Sequence, residues 1–450
     1  MRLFGTDGIR GEVGKYPLTA ENVLKLAKAA SIVLRKKNSI SRVVINKDTR
    51  LSNYIFEPAL TSGFISMGIN VVLVGPLPTP ALTILSKSLR ADFSVMITAS
   101  HNPYQDNGLK FFSSSGYKIT AEEEKKIEDC FFNYDFDNFR IKPSNYGKAV
   151  RLKDAIGRYS EALKQNIFNN LDYTKLKVIL DCANGAAYKV APEVLFEIGV
   201  ELDTLGDKPN GVNINEKCGS LFPQRASNLV KKRKSDIGIC LDGDGDRLII
   251  IDEKGEPILG EELLFILAKF YLKNKIIKKG STIVTNEIAN FGLDISLKNI
   301  GLKLKRVKVG DKNILNEIKS NGHYFGGEPS GHFIFKEDAL IGDGMSTALR
   351  VLTIMLKENK KLSELKKGLN LLKVVEINQK IDREKFFQNE AKIYRDLNSL
   401  LKSQNLFFVI RPSGTEPLLR VNLQYQPRNI KVTALRKLEK NIIKIIANAC

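Results

Sequence analysis

The sequence has little cysteine and less histidine: 5 and 3 in 450 residues. The cysteines, Cys130, Cys182, Cys218, Cys240 and Cys450, are widely scattered. They form no C-x-x-C pair and no Cys/His zinc spacing, which argues against a zinc site and a disulfide framework. Free thiols in a reducing compartment are expected, with no catalytic cysteine. No apolar run approaches the ~18 residues of a membrane span. Gly5-Thr6-Asp7 interrupts the N-terminal stretch before a signal-peptide core could form. A cytoplasmic protein is expected. There is no G-x-S-x-G elbow and no Walker phosphate loop.

Lysine and arginine exceed acidic residues by 20, a surplus that would suit a nucleic-acid partner. The cations are dispersed, however, as in Lys231 to Lys234, Lys303 to Lys308 and Lys431 to Lys444. No basic stripe interleaved with aromatics accompanies them. A lysine-rich surface around an anion site is the better reading, and no nucleic-acid or membrane partner is expected.

The length suggests several cores, at roughly 100–200 residues per domain. Three successive blocks each send a β-rich run into a loop of polar residues: Phe93 to Ile97, Ile237 to Leu241, and Tyr324-Phe325. Helical signals alternate with these runs. Thr19 can cap one helix, and Thr120 with Glu123 forms a capping box for another. Asp343 to Lys357 reads as a long amphipathic helix. The expected fold class is α/β: three similar α/β domains with mixed sheets, at 1–146, 147–252 and 253–368, plus a C-terminal α+β domain at 369–450, around a central cleft. In the last domain, Leu435, Leu438, Ile442, Ile445 and Ile446 give the final basic helix an apolar face of ordinary core width.

The polar loops carry the chemistry. Asp242, Asp244 and Asp246 alternate with glycine, so three carboxylates converge that would repel without a cation. Oxygen-only ligands favour Mg2+ before Ca2+. An EF-hand is a rival because Glu253 falls at the twelfth position. Arg247 stands where that loop needs glycine, and both flanks are strand-like. Ser100-His101 invites a hydrolase reading, but neighbours on an extended segment face opposite ways, which would keep His101 off Ser100. A phosphoserine, with its charge of about −1.5 to −2, suits the metal and nearby Arg10 better. Lys110 follows Asn107-Gly108, where the chain can fold back. A lysine among cations has a lowered pKa and can pass protons. Arg411-Pro412-Ser413-Gly414-Thr415 offers a guanidinium fork, two hydroxyls and glycine amides to an anion. Glu328 and Ser330, flanked by glycines, suit sugar hydroxyls.

These runs, with Gly5-Thr6-Asp7-Gly8-Ile9-Arg10-Gly11 and Gly327-Glu328-Pro329-Ser330-Gly331-His332, resemble the signatures of the α-D-phosphohexomutase family, in order and over essentially the whole chain. The first and last of them look most like bacterial members that isomerise glucosamine phosphates. The resemblance implies that Ser100 carries a transferable phosphate and that Mg2+ is held by it and by Asp242, Asp244 and Asp246. It implies catalytic roles near Lys110, with Arg10, His101 and His332 as helpers. Arg247, Glu328 and Ser330 would contact the sugar, and Arg411, Ser413, Gly414 and Thr415, with Arg420, would grip the phosphate that is not transferred. Pro329 stands where many members carry another residue. The implied activity interconverts glucosamine 6-phosphate and glucosamine 1-phosphate on the way to UDP-N-acetylglucosamine, primed by glucose 1,6-bisphosphate, in a monomer or homodimer. Phosphomannomutase or phosphoglucomutase activity is the alternative.

Overall fold

A computed structural model describes residues 3–5, 7–36, 41–165, 170–338, 341–402, 406–412, 417–427, 430 and 432–448. Its first sheet holds β1 (Ile9–Glu12), β2 (Arg42–Lys47), β3 (Asn70–Pro76), β4 (Phe93–Ile97), β5 (Asp106–Ser113) and β6 (Ala149–Arg151). Their order is β1-β5-β4-β2-β3-β6, with β4, β2, β3 and β6 parallel and β5 antiparallel to both neighbours. The second sheet holds β7 (Lys177–Asp181), β8 (Glu201–Leu205), β9 (Ile237–Leu241), β10 (Leu248–Ile251) and β11 (Pro257–Ile258), ordered β11-β10-β9-β7-β8. The third holds β12 (Thr282–Asn286), β13 (Lys303–Val307), β14 (Phe325–Gly327) and β15 (Phe333–Phe335), ordered β13-β12-β14-β15.

All three sheets share one device. A parallel α/β core carries an antiparallel hairpin: β4–β5, β9–β10 and β14–β15. Each hairpin loop holds one of the polar runs, so the structural repeat expected from the sequence is a repeat of hairpins. The last domain differs, with three antiparallel strands, β16 (Lys373–Lys380), β17 (Phe407–Pro412) and β18 (Leu418–Tyr425), and β18 central. Helices Arg383–Lys402 and Val432–Ala447 pack on it.

Two limits move. β6 pairs with β3, so the first sheet runs past residue 146. β11 pairs with β10, so the second runs past 252. The helix Gly344–Glu358 is not amphipathic in its setting, because every residue from Gly344 to Met355 is buried. It packs against β9 and β10 of the second sheet, although it follows the third sheet in sequence. The Gly344 amide bonds the Gly245 carbonyl at 3.0 Å. One apolar core accordingly runs from Phe112 in the first domain through Leu241 to Phe325 in the third. Continuous packing of this kind holds the three hairpins in a fixed relation.

Candidate active site

Ser100 lies at the tip of the first hairpin with φ at +51°, a left-handed backbone that a non-glycine residue adopts only when its surroundings demand it. The surroundings are explicit. Thr98 Oγ1 accepts the Ser100 amide at 2.9 Å and donates to Asp48 Oδ2 at 2.7 Å. Asp48 also holds Arg50 Nε at 2.9 Å. The buried Arg50 guanidinium then donates to the carbonyls of Ser100 (3.0 Å), Asn102 (2.9 Å), Asp106 (3.0 Å) and Pro103. From the second domain, Asn215 Nδ2 donates to the carbonyls of Ser100 and Asn102 at 2.9 and 3.1 Å. Arg50 and Asn215 were not legible as site residues. Asp48-Thr49-Arg50 after a buried strand was the one local signal for the first.

The turn overturns one expectation. Ser100 is not on extended backbone, and its Oγ lies 3.4 Å from His101 Nδ1. Burial first, then the charges of Arg247 and Arg10, pull the His101 pKa down to about 4, so the ring is neutral near pH 7.

Ser100 Oγ donates to Asp242 Oδ2 at 2.8 Å, across the first and second domains. Asp242, Asp244 and Asp246 are buried, and one oxygen from each lies within 4.8 Å of the others. The loop joins two antiparallel strands, which removes the EF-hand reading. Asp244 Oδ1 and Asp246 Oδ1 are buried without a hydrogen-bond partner among the described residues. Burial, then the charges of Asp246 and Asp244, push the Asp242 carboxyl well above the usual range. Three crowded carboxylates with unpaired oxygens fit a hard cation that would relieve all of these costs at once.

Lys110, on β5, points into this cluster. Its Nζ lies 2.9 Å from Asp244 Oδ2, 3.3 Å from Asp7 Oδ2 and 3.5 Å from Asp246 Oδ2. The expected cationic setting is therefore an acidic one. Burial alone would lower its pKa, but Asp244, Asp7 and Asp246 outweigh burial and hold the ammonium charged. Thr79 Oγ1 completes Asp244 at 2.8 Å. Arg10 Nη2 bonds Asp7 at 2.6 Å, and the buried Nε atoms of Arg10 and Arg247 have no hydrogen-bond partner among the described residues.

The third hairpin closes over the second. Glu328 takes Asn286 Nδ2 at 3.0 Å, the Gly310 amide at 3.2 Å and Ser330 Oγ at 3.3 Å. His332 Nδ1 lies 3.9 Å from Asp246 Oδ2. Gly331, with φ at +89°, receives the Leu248 amide, and a Cβ there would meet the Leu248 carbonyl at 2.0 Å. Arg411 and Arg420 stand opposite each other on β17 and β18. They line a cavity of about 280 Å³ together with Asn290 and Pro329, so Pro329 of the β14–β15 loop and the arginines share one cleft. Ser413, Gly414 and Thr415 lie outside the described residues.

The arrangement places the Ser100 hydroxyl beside a carboxylate cluster and a neutral imidazole, with a charged lysine on the same cluster. Asp246 of that cluster also faces Arg247 and His332. The descriptions "Phosphoglucomutase/phosphomannomutase, alpha/beta/alpha domain" I, II and III match residues 1–138, 157–255 and 259–370. The chain is 43% identical to a phosphoglucosamine mutase of Geotalea uraniireducens, over 98% of both chains. It is 45% identical to that of Geobacter metallireducens, over 95% of both. A phosphoglucomutase/phosphomannomutase family protein of Burkholderia thailandensis shares the fold, with a TM-score of 0.80 at 22% identity, over 99% of this chain and 97% of that one. By sequence along nearly its whole length, the chain belongs to the α-D-phosphohexomutase family, among its phosphoglucosamine mutases.

Proposed function

We propose that the enzyme, an isomerase, interconverts glucosamine 6-phosphate and glucosamine 1-phosphate through a phosphorylated Ser100 and a sugar bisphosphate. The observation that carries this reading is the 2.8 Å contact between Ser100 Oγ and Asp242, which joins a hydroxyl on one domain to a carboxylate cluster on another. The relatives that cover nearly all of the chain bear this activity in their names.

In the first half-reaction the bond from phosphorus to Ser100 Oγ breaks and a bond to the sugar's free hydroxyl oxygen forms. The hydroxyl's proton must leave. The neutral imidazole of His101 is a group near Ser100 that can take it, and Lys110, whose ammonium reaches the same carboxylate cluster as Ser100, is assigned the return of a proton to Ser100 Oγ. After the bisphosphate turns over, the same groups act in reverse and Ser100 takes the other phosphate. Asp242, Asp244 and Asp246 would hold Mg2+, which supplies charge stabilisation to the moving phosphoryl group. A protein of Aspergillus fumigatus with this fold was solved with GlcNAc-6P and magnesium. Arg10 and Arg247 face the same charge. Glu328 and Ser330 hold the sugar hydroxyls, with His332 behind them, and Arg411 with the Ser413-Gly414-Thr415 run grips the resting phosphate. Glucose 1,6-bisphosphate would prime Ser100.

A monomer or a homodimer belongs to this proposal. Among the described residues, no helix is long and apolar enough to cross a membrane, and a cytoplasmic location fits the small phosphorylated substrate. Rates on the 6-phosphates of glucosamine, mannose and glucose, measured side by side, test the assignment. Glucosamine 6-phosphate should give the highest kcat/KM, and a preference for mannose or glucose would replace it with the phosphomannomutase or phosphoglucomutase alternative.

A further inference from the structure

Lys118 sits where two domains meet. It returns along β5, bridged to Phe112, and sends its ammonium across the seam. Nζ stands 2.5 Å from Asp7 Oδ1 in the first domain and 2.6 Å from Asp311 Oδ2 in the third. Each carboxylate leads into the site already described. The second oxygen of Asp7 binds Arg10 at 2.6 Å and lies 3.3 Å from Lys110. Asp311 begins the helix Asp311–Asn321, and its neighbour Gly310 gives its amide to Glu328. Asp311 Oδ2 also lies 3.8 Å from His332 Nε2. One ammonium thus stands at the joint of two contact chains. One chain ends at the proton-carrying lysine, the other at the sugar clamp.

We infer that Lys118 is a positioning residue for the transfer. It pins Asp311 to Asp7, and so sets the distance between a sugar held on Glu328 and the reacting groups around Ser100 and Lys110. Without the ammonium, two carboxylates face each other across a seam of low dielectric and push it apart. A second tie crosses the seam. Lys312 Nζ bonds the Ile119 carbonyl at 3.2 Å and lies 3.9 Å from Glu124 across the same seam. Misplacement of reacting groups by about 1 Å costs on the order of 100-fold in rate.

The inference rests on the proposed isomerase reading, and the test separates the two. Steady-state kcat and KM for glucosamine 6-phosphate are measured for the wild type, Lys118→Met, Lys118→Arg, and Lys118→Met combined with Asp311→Asn. Thermal unfolding and hydrogen exchange at the Gly310 and Lys312 amides are followed on the same samples. Lys118→Met should lower kcat by about 30-fold or more with a smaller change in KM, at a melting temperature close to wild type. Lys118→Arg should restore part of it, and so should the double variant, because Asp311→Asn removes the repulsion. Exchange at Gly310 should quicken in Lys118→Met whatever the substrate. Wild-type kcat and unchanged exchange in Lys118→Met would overturn the inference, as would a double variant no faster than the single one. A wild-type enzyme that leaves glucosamine phosphates untouched would overturn the substrate assignment alone, since the exchange measurement still decides the pin.

Discussion

Ser100 keeps its left-handed backbone at a cost of about 1–3 kcal/mol, and Arg50 is the residue that most directly makes it hold. Lysine at this position keeps the charge beside Asp48 but cannot reach four carbonyls with one ammonium. Arg50→Lys should lower kcat at least about tenfold, read in steady-state assays, while the bound phosphate on Ser100 becomes sub-stoichiometric by intact mass. Asp343 offers a different residue-scale test. Burial, with the nearby charge of Asp338, pushes its carboxyl up to about 7, while its amide acceptor role at Ser346 and the Tyr159 hydroxyl at 2.9 Å hold it in place. The folded protein therefore keeps this proton when the unfolded chain, titrating near 3.8, has lost it. Stability from this group is full below about pH 4 and is lost as pH rises toward 7. Denaturant titrations across that window should show the fall in the wild type, and Asp343→Asn, which can still cap the helix, should flatten it. The signature residues were readable because each lies in a short contiguous run of unusual composition. Arg50, Asn215, Lys118 and Asp311 were not, because their partners lie 50 to 193 residues away, and an isolated lysine or arginine looks like surface charge.

At the scale of elements, the hairpin is the unit that delivers chemistry. The β9–β10 loop is shaped by contacts it makes outside itself: the Ala186 amide bonds the Gly243 carbonyl at 2.8 Å, and a Cβ on Gly185 would meet that carbonyl at 2.4 Å. Gly185→Ala should push the aspartate loop out of shape and weaken Mg2+ activation at least about tenfold, measured as the metal concentration for half-maximal rate. The alternation of strand and polar loop was visible in sequence, and so were the caps at Thr19 and Thr120. The helix Asn53–Ser66 was not. Pro58 and Gly63 break its pattern, and Gly63 is there because a Cβ would strike the Leu24 carbonyl at 2.7 Å in the neighbouring helix. Packing against that neighbour overrides weak local propensity, and no periodicity reveals it.

For the whole molecule, the first and second sheets run past residues 146 and 252 because strand pairing does not stop where composition changes. The buried helix Gly344–Glu358 failed to look buried for a related reason: its partners belong to a sheet completed about a hundred residues earlier. The surplus of 20 positive charges acts at this scale too. It should draw anionic sugar phosphates toward the cleft, so raising salt from about 50 to 300 mM should raise KM while kcat changes little. The proposed reaction turns on Ser100 relaying the phosphoryl group. The decisive trial loads the enzyme with radiolabelled phosphate on Ser100 and mixes it with one equivalent of unlabelled glucosamine 6-phosphate. The label should leave the protein and appear in the sugar bisphosphate and then in glucosamine 1-phosphate, at the rate of turnover. Isomerisation that proceeds while the label stays on the protein, or at an undiminished rate in Ser100→Ala, would contradict it.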